Sequence, residues 1–479
     1  MHQATRFFIG GAWVDPLSTR TAPLINPATE ERCGMVAMGN AADVDRAVAS
    51  ANRAFPGWAT TPPEARADLL NRLIGIYERR AAEMAALISQ EMGAPITLAS
   101  GNQVKIGLAH IRTFAGLLQS HRFEHPLRPD TPHDRIIQEP IGTCALITPW
   151  NWPMNQIAQK VAAAMAAGCV SILKPSEQAP LSATMFTQMI EEAGFPPGVF
   201  NLVHGDAEVG EALARHRDVQ MISLTGSGRA GAAVSVAAAP TFKRVVLELG
   251  GKGPNVIFAD SGIEASVARG TSQCFNNSGQ SCNAPTRMIV ERTAYARAVE
   301  IAAATAEATQ VGDPATSGAH LGPLASARQF EAVQGFIRAG IDEGARLVAG
   351  GLGRPEGLER GFFARPTVFA DVTPDMRIAR EEIFGPVLTI TPFDTEEEAI
   401  RLANDTDFGL AGYVQTADPA RAARVARGLR CGVVVLNGAA RAQGSPFGGM
   451  KHSGNGREGG RWGLEEFLEV KAVSGWPVG

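Results

Sequence analysis

Two periods of apolar and polar positions alternate through the middle of the chain. Apolar, β-branched runs at 144–148, 170–173, 199–203, 219–224 and 245–249 read as buried strands. Between them, apolar positions recur at helical spacing over 155–167, 181–193, 207–215 and 230–239. Strands joined in this way by helical crossovers imply a parallel, doubly wound sheet. Such sheets bind ligands beyond the carboxyl ends of their strands. A second unit of the same kind is expected from 254 to about 435, with strands at 256–258, 286–290, 387–392 and 433–436. Ahead of the first sheet, 42–55 and 66–90 have the period of amphipathic helices. The stretch 122–138, rich in Pro, His and Asp, breaks that pattern and reads as a hairpin leaving the domain, and 467–473 alternates as a strand.

Composition changes this picture only by exclusion. The 479 residues suggest about three domains at roughly 150 residues each. Hydrophobic residues make up 45% and charged residues 19%, with a formal charge of −4, which argues against nucleic acid as a partner. The 52 glycines and 30 prolines fall below the roughly 25–30% of a low-complexity chain. Six cysteines (Cys33, Cys144, Cys169, Cys274, Cys282 and Cys431) are widely and irregularly spaced, without a CxxC pair or a histidine cluster. No metal site is expected, and reduced thiols in the cytoplasm fit better than a disulfide framework. The N-terminus lacks a charged segment followed by an apolar run. The most membrane-like run, 161–170, is about half the length of a spanning helix, so no membrane association is expected.

Candidate chemistry begins where the strands end. Strand 219–224 runs into Gly226, Ser227, Gly228 and Gly231 ahead of a helix, a GxGxxG pattern in its strand–turn–helix setting. Glycines there let backbone N–H groups approach a pyrophosphate at a helix N-terminus. Alone, the pattern describes a tight turn equally well, and its usual offset would cast Glu248 as a ribose-binding acid. Strand 170–173 runs into Lys174, Pro175, Ser176 and Glu177. Pro175 ends the strand and leaves Lys174 and Glu177 at its carboxyl end. A carboxylate at that place accepts the hydroxyls of an adenosine ribose and repels a 2′-phosphate, favouring NAD over NADP. Standing alone, the two residues would be a surface ion pair.

Two longer stretches narrow the chemistry: Leu247 to Lys252 (LELGGK) and Phe275 to Cys282 (FNNSGQSC). Pro149-Trp150-Asn151-Trp152-Pro153 precedes them, and Glu381 to Pro386 (EEIFGP) lies downstream. At these residues the chain resembles the aldehyde dehydrogenase superfamily, NAD(P)-dependent and non-acylating, over nearly its whole length. The resemblance implies an α/β fold of two Rossmann-like parallel-sheet domains plus a small β oligomerisation element. The cofactor domain would span 1–121 and 140–250, the catalytic domain 251–450, and the oligomerisation element 122–139 and 460–479, in a homodimer or homotetramer.

It also implies roles. Cys282 is the nucleophile; a free thiol is only a few per cent ionised at neutral pH, so its site is expected to lower its pKa. The Asn151 amide and the Cys282 backbone N–H serve the oxyanion, although Asn151 alone would read as a helix N-cap. Glu248 is the base that activates water against the thioester, which leaves Glu177 as the ribose ligand. Glu382 and Phe384 hold the nicotinamide ribose and ring, Ser227 the diphosphate, and Trp150 lines the cofactor path. Glu458 is an accessory carboxylate in a proton relay, or else a surface acid. Glu469 is expected near the dimer interface, paired with Arg244 and Arg457.

The chain departs from the family at Gly228, where threonine is usual, and in segment 439–443, which lacks the aromatic residues common for aliphatic aldehydes. Trp152 and Phe447 remain as apolar walls, and Arg441 or Gln443 would meet a polar or carboxylate-bearing aldehyde. The other readings of the same residues are a CoA-acylating dehydrogenase, a cysteine-dependent esterase or hydrolase, and a non-catalytic protein retaining the fold.

Overall fold

The computed structural model describes residues 1–477. Its first large sheet carries, in spatial order, Gly454–Asn455, Arg244–Glu248, Met221–Thr225, Thr143–Thr148, Val170–Pro175, Phe200–Leu202, Phe7–Ile9 and Ala12–Val14. The middle five are the expected strands, all parallel to their neighbours. The added edges are antiparallel. Helices Pro153–Ala167, Pro180–Ala193, Ala207–Arg215 and Gly228–Ala238 form the crossovers. The chain starts at Thr143–Thr148, winds outward to Phe200–Leu202, then returns to Met221–Thr225 on the other side. The order therefore reverses between Thr143–Thr148 and Met221–Thr225, and a crevice opens there beyond the carboxyl ends.

Helix Pro153–Ala167 lies in that crevice's wall and is buried on almost every side, which its small alanines permit. The membrane-like run 161–170 is thus core of the protein. Among the described residues, no helix is long and apolar enough to cross a membrane.

The second sheet runs Arg346–Ala349, Thr367–Ala370, Val387–Phe393, Arg287–Glu291, Pro254–Ile257, Ala411–Gln415 and Val433–Leu436. All of its pairings are parallel except that of Arg346–Ala349. A third sheet joins Glu124–Pro126, Asp134–Pro140 and Leu468–Ser474, antiparallel throughout. The expected hairpin and terminal strand are these. Within 460–479, helix Gly460–Glu465 packs into the first core through Leu464. Positions 478 and 479 of that segment lie outside the described residues.

The helix expected over 66–90 is two helices, Pro63–Arg79 and Ala81–Met92, divided at Arg80, where ψ rises to 11°. Apolar spacing holds its period on both sides of the break, so the pattern does not register it. The same holds for the turn before Ala41–Ala59, where Asn40 and Asp43 cap each other reciprocally.

Candidate active site

Residues 149–152, leaving the carboxyl end of Thr143–Thr148, floor the crevice and turn into helix Pro153–Ala167. Trp152 rather than Asn151 occupies the N-cap, with no side-chain cap bond. Asn151 is buried, and its Nδ2 donates to the Gln280 carbonyl at 3.0 Å. Its own carbonyl accepts from Asn277 Nδ2 at 2.9 Å and Gln103 Nε2 at 3.4 Å. Gln103 closes the π-helical turn Ala99–Gln103 and also reaches Asn277 Oδ1 at 3.2 Å. Neither Gln103 nor Asn277 was among the expected site residues. A buried polar residue on an apolar helix face was the available signal.

This network holds a strained turn. Asn277, Ser278 and Gly279 have φ of 55°, 56° and 73°, a left-handed run that costs energy at the two non-glycine positions. A Cβ at Gly279 would lie 2.0 Å from the Gly385 carbonyl oxygen, so only glycine fits. Three residues on, the chain delivers Cys282, partly exposed. From the other sheet, Arg244–Glu248 runs out into Gly250 and Gly251. A Cβ at Gly251 would come 2.3 Å from the Cys282 carbonyl, so two bare backbones interlock beneath the thiol.

Glu248 and Cys282 face one another across that joint. The thiol comes close enough to support negative charge on Glu248, yet neither Glu248 oxygen has a hydrogen-bond partner of regular geometry. Burial and then the Glu458 charge push Glu248 up to about 8, against the opposing pull of Cys282 and Lys160. Cys282 does not meet expectation: its pKa is raised well above the ordinary thiol value, not lowered. Burial comes first and the nearby Glu248 and Glu382 carboxyls second, since each carboxylate opposes a second negative charge. The carboxyl that faces this thiol is Glu248. Lys160 Nζ, on helix Pro153–Ala167, donates to Ser223 Oγ at 2.9 Å and pairs with Glu458. Glu458 is a buried ion-pair partner here rather than a surface acid.

Along the crevice, Lys174 and Glu177 sit at the end of Val170–Pro175 with Nζ and Oε2 3.7 Å apart. Lys174 is buried and its pKa lowered by that burial, with Glu177 opposing; Glu177 faces outward. Ser227 caps helix Gly228–Ala238 by accepting from the Ala230 N–H at 3.3 Å. Nothing lies within 4 Å of a Cβ built on Gly228, whereas one on Gly231 would meet Leu249 at 2.7 Å. The turn is thus open above its first N–H groups and packed tightly behind. Glu382 accepts from the Gly251 N–H at 2.8 Å and is raised to about 7, chiefly by burial. Phe384, at φ 56°, presents its ring edge-on to Trp150 with centroids 5.6 Å apart. A row of an outward carboxylate, open helix N-terminus, aromatic pair and second carboxylate fits an extended dinucleotide.

A cavity of about 500 Å³ opens over Cys282 and is lined by Trp152, Arg441, Gln443 and Phe447 among others. A larger one, about 1020 Å³, lies behind the strained turn and does not include Cys282 among its lining residues. Of the two, the smaller is the substrate candidate, because Cys282 lines it. Glu469 pairs with Arg244 at 2.9 Å. Arg457 does not join them, because its guanidinium is held by the Gly449 and Gly456 carbonyls.

Residues 13–473 match the model of the aldehyde dehydrogenase family. A 3-succinoylsemialdehyde-pyridine dehydrogenase from Pseudomonas sp is 51% identical over 478 residues, covering 99% of both chains. The crystal structure of an aldehyde dehydrogenase from Bartonella henselae superposes with a TM-score of 0.98 at 50% identity, covering 99% of this chain and 100% of that one. A mutant of aldehyde dehydrogenase C from Pseudomonas syringae, solved in complex with NAD+ and octanal, gives 0.97 at 52% identity over 98% and 97%. The chain belongs to the aldehyde dehydrogenase family. It is an oxidoreductase acting on the aldehyde group.

Proposed function

We propose that the protein oxidises an aldehyde to its carboxylic acid with NAD+, holding the acyl group on Cys282 as a thioester. The observation that carries this is the buried, unpartnered Glu248 carboxyl facing the Cys282 thiol. Glu248 takes the thiol proton as sulfur adds to the aldehyde carbon. The Asn151 amide, with one N–H already given to Gln280, has a second to give to the oxyanion, beside the Cys282 N–H. NAD+, when bound, accepts the hydride that turns the thiohemiacetal into the thioester. Glu248 gives up the thiol proton and, ionised again, draws a proton from water as the water attacks the acyl carbon and the carbon–sulfur bond breaks to free the acid and Cys282. Lys160 and Glu458 form the route by which that proton leaves.

The cofactor cradle comprises Trp150, Lys174, Glu177, Gly226, Ser227, Gly231, Glu382 and Phe384. The outward Glu177 favours NAD over NADP. Residues 1–121 with 140–250 form the cofactor domain and 251–450 the catalytic domain. Residues 122–139 with 460–479 form the oligomerisation element of a homodimer or homotetramer, since Leu468–Ser474 ends the third sheet with an unpaired edge. The six cysteines, all free, suit the cytoplasm.

The test is NADH formation by the purified protein over a panel of aldehydes, with NADP+ and CoA as parallel arms. Aldehyde-dependent NADH with free acid as product, lost in Cys282→Ala, is expected. Acyl-CoA as product, or ester hydrolysis with no NADH from any aldehyde, overturns the reading.

A further inference from the structure

The walls of the cavity over Cys282 say what kind of aldehyde enters it. Among the described residues no Asp or Glu lines that cavity, and its only lysine or arginine is Arg441. Several of the other polar tips are already engaged. Trp152 Nε1 donates to Ser281 Oγ at 2.8 Å, and the Tyr413 hydroxyl to the Asn283 carbonyl at 2.6 Å. His110 and Asn155 bond each other at 2.8 Å. Gln443 Nε2 is spent on helix Val104–Leu117, donating to the Ala109 carbonyl and to Thr113 Oγ1 at 2.8 Å. That removes Gln443 as an amide donor to substrate.

Arg441 is different. Its guanidinium lies over the Phe447 ring, 4.9 Å from the centroid. Its two hydrogen bonds, to the Ser445 and Pro446 carbonyls, are both long at 3.4 Å and come from the same nitrogen. It carries five N–H donors, and among the described residues no carboxylate pairs with it. A guanidinium fixed by an aromatic face at the mouth of a cavity without acids is a preformed seat for a planar anion.

We propose that the substrate is an aldehyde carrying a carboxylate at its far end, and that Arg441 binds that carboxylate. The inference rests on Cys282 being the acyl acceptor, because this sets which cavity the chain of the substrate must fill. Arg441 is then the residue that sets specificity, while the thiol and Glu248 carry the reaction.

Two measurements separate the two claims. In calorimetric titration of the intact protein, adipate binds at least tenfold more tightly than hexanoate, and Arg441→Met removes the difference while Arg441→Lys keeps part of it. In turnover, the ratio of kcat/KM for the ω-carboxylate analogue of hexanal to that for hexanal falls about 10- to 100-fold in Arg441→Met. Arg441-dependent adipate binding with no aldehyde oxidised would sink the oxidation reading and leave the anion seat standing. Oxidation without preference for the acid, or a preference that survives Arg441→Met, overturns the anion seat.

Discussion

Glu248 has the least company of any group in the site: buried, acidic, without a hydrogen bond and next to a thiol it must deprotonate. A base works only in its ionised form, and burial raises that threshold to about 8. Turnover is therefore expected to climb as pH rises through about 8 and to fall away below it. Glu458→Gln removes the charge that raises Glu248 most after burial and leaves Lys160 to pull it down, so the limb moves to lower pH; kcat profiles of both proteins check the direction. Glu248→Gln is expected to lose about 10²–10⁴ in kcat and to slow the single-turnover burst of NADH with it, because the thiol loses its base as well as the water. Asn151→Ala, which removes an oxyanion donor, should cost about 10²–10³ in kcat, read against unchanged labelling of Cys282 by a thiol reagent. At this scale the motifs announced most of the site: Cys282, Glu248 and Asn151 stand within runs too particular to be chance. The raised Cys282 pKa was not legible, because it depends first on burial and then on the Glu248 and Glu382 carboxyls, which only the fold brings beside the thiol.

The elements show what local pattern can and cannot carry. The five central strands are readable because each is a short apolar run bounded by turn residues. Thr367–Ala370 and Ala411–Gln415 escaped notice because four or five residues between loops make too short a pattern to stand out. The break at Arg80 escaped because no glycine or proline marks it. That break lets Ala81–Met92 bring Glu91 to the start of helix Pro180–Ala193, where it accepts from the Leu181 and Ser182 N–H groups at 2.6 and 3.2 Å. Burial still wins, raising Glu91 to about 7. The folded state then prefers the protonated acid, so its contribution is full below about 4.5 and lost as pH rises through about 7, on the order of 3 kcal/mol. Thermal melts of Glu91→Gln should show a shallower fall across that window than the parent. Gly279→Ala meets both a left-handed φ and the Gly385 oxygen, and is expected to lower stability, read in thermal melts, by more than the about 1 kcal/mol of the dihedral alone.

The whole molecule sets the Cys282 thiol, delivered beside one sheet, against the Glu248 carboxyl at the end of a strand of the other. The third sheet is rooted in the first core through Leu468 and ends on Leu468–Ser474, where Val470 is two-thirds exposed at 66%. Val470→Asp should therefore yield a smaller species by sedimentation if that edge joins subunits, and an unchanged one would remove the strand from the interface. Chain length suggested about three units, but not that Gly454–Asn455 returns to extend the first sheet. The Gln443 side chain has a last consequence. Arg441 rides on a loop tethered by one amide to helix Val104–Leu117, whereas Cys282, Asn151 and Glu248 are set by strand ends and interlocked backbone. Diet and chemistry are thus inherited separately. A lineage can exchange the few residues of 439–443 for another menu and keep the reaction intact, and a designer grafting loops between relatives would be cutting along the same seam.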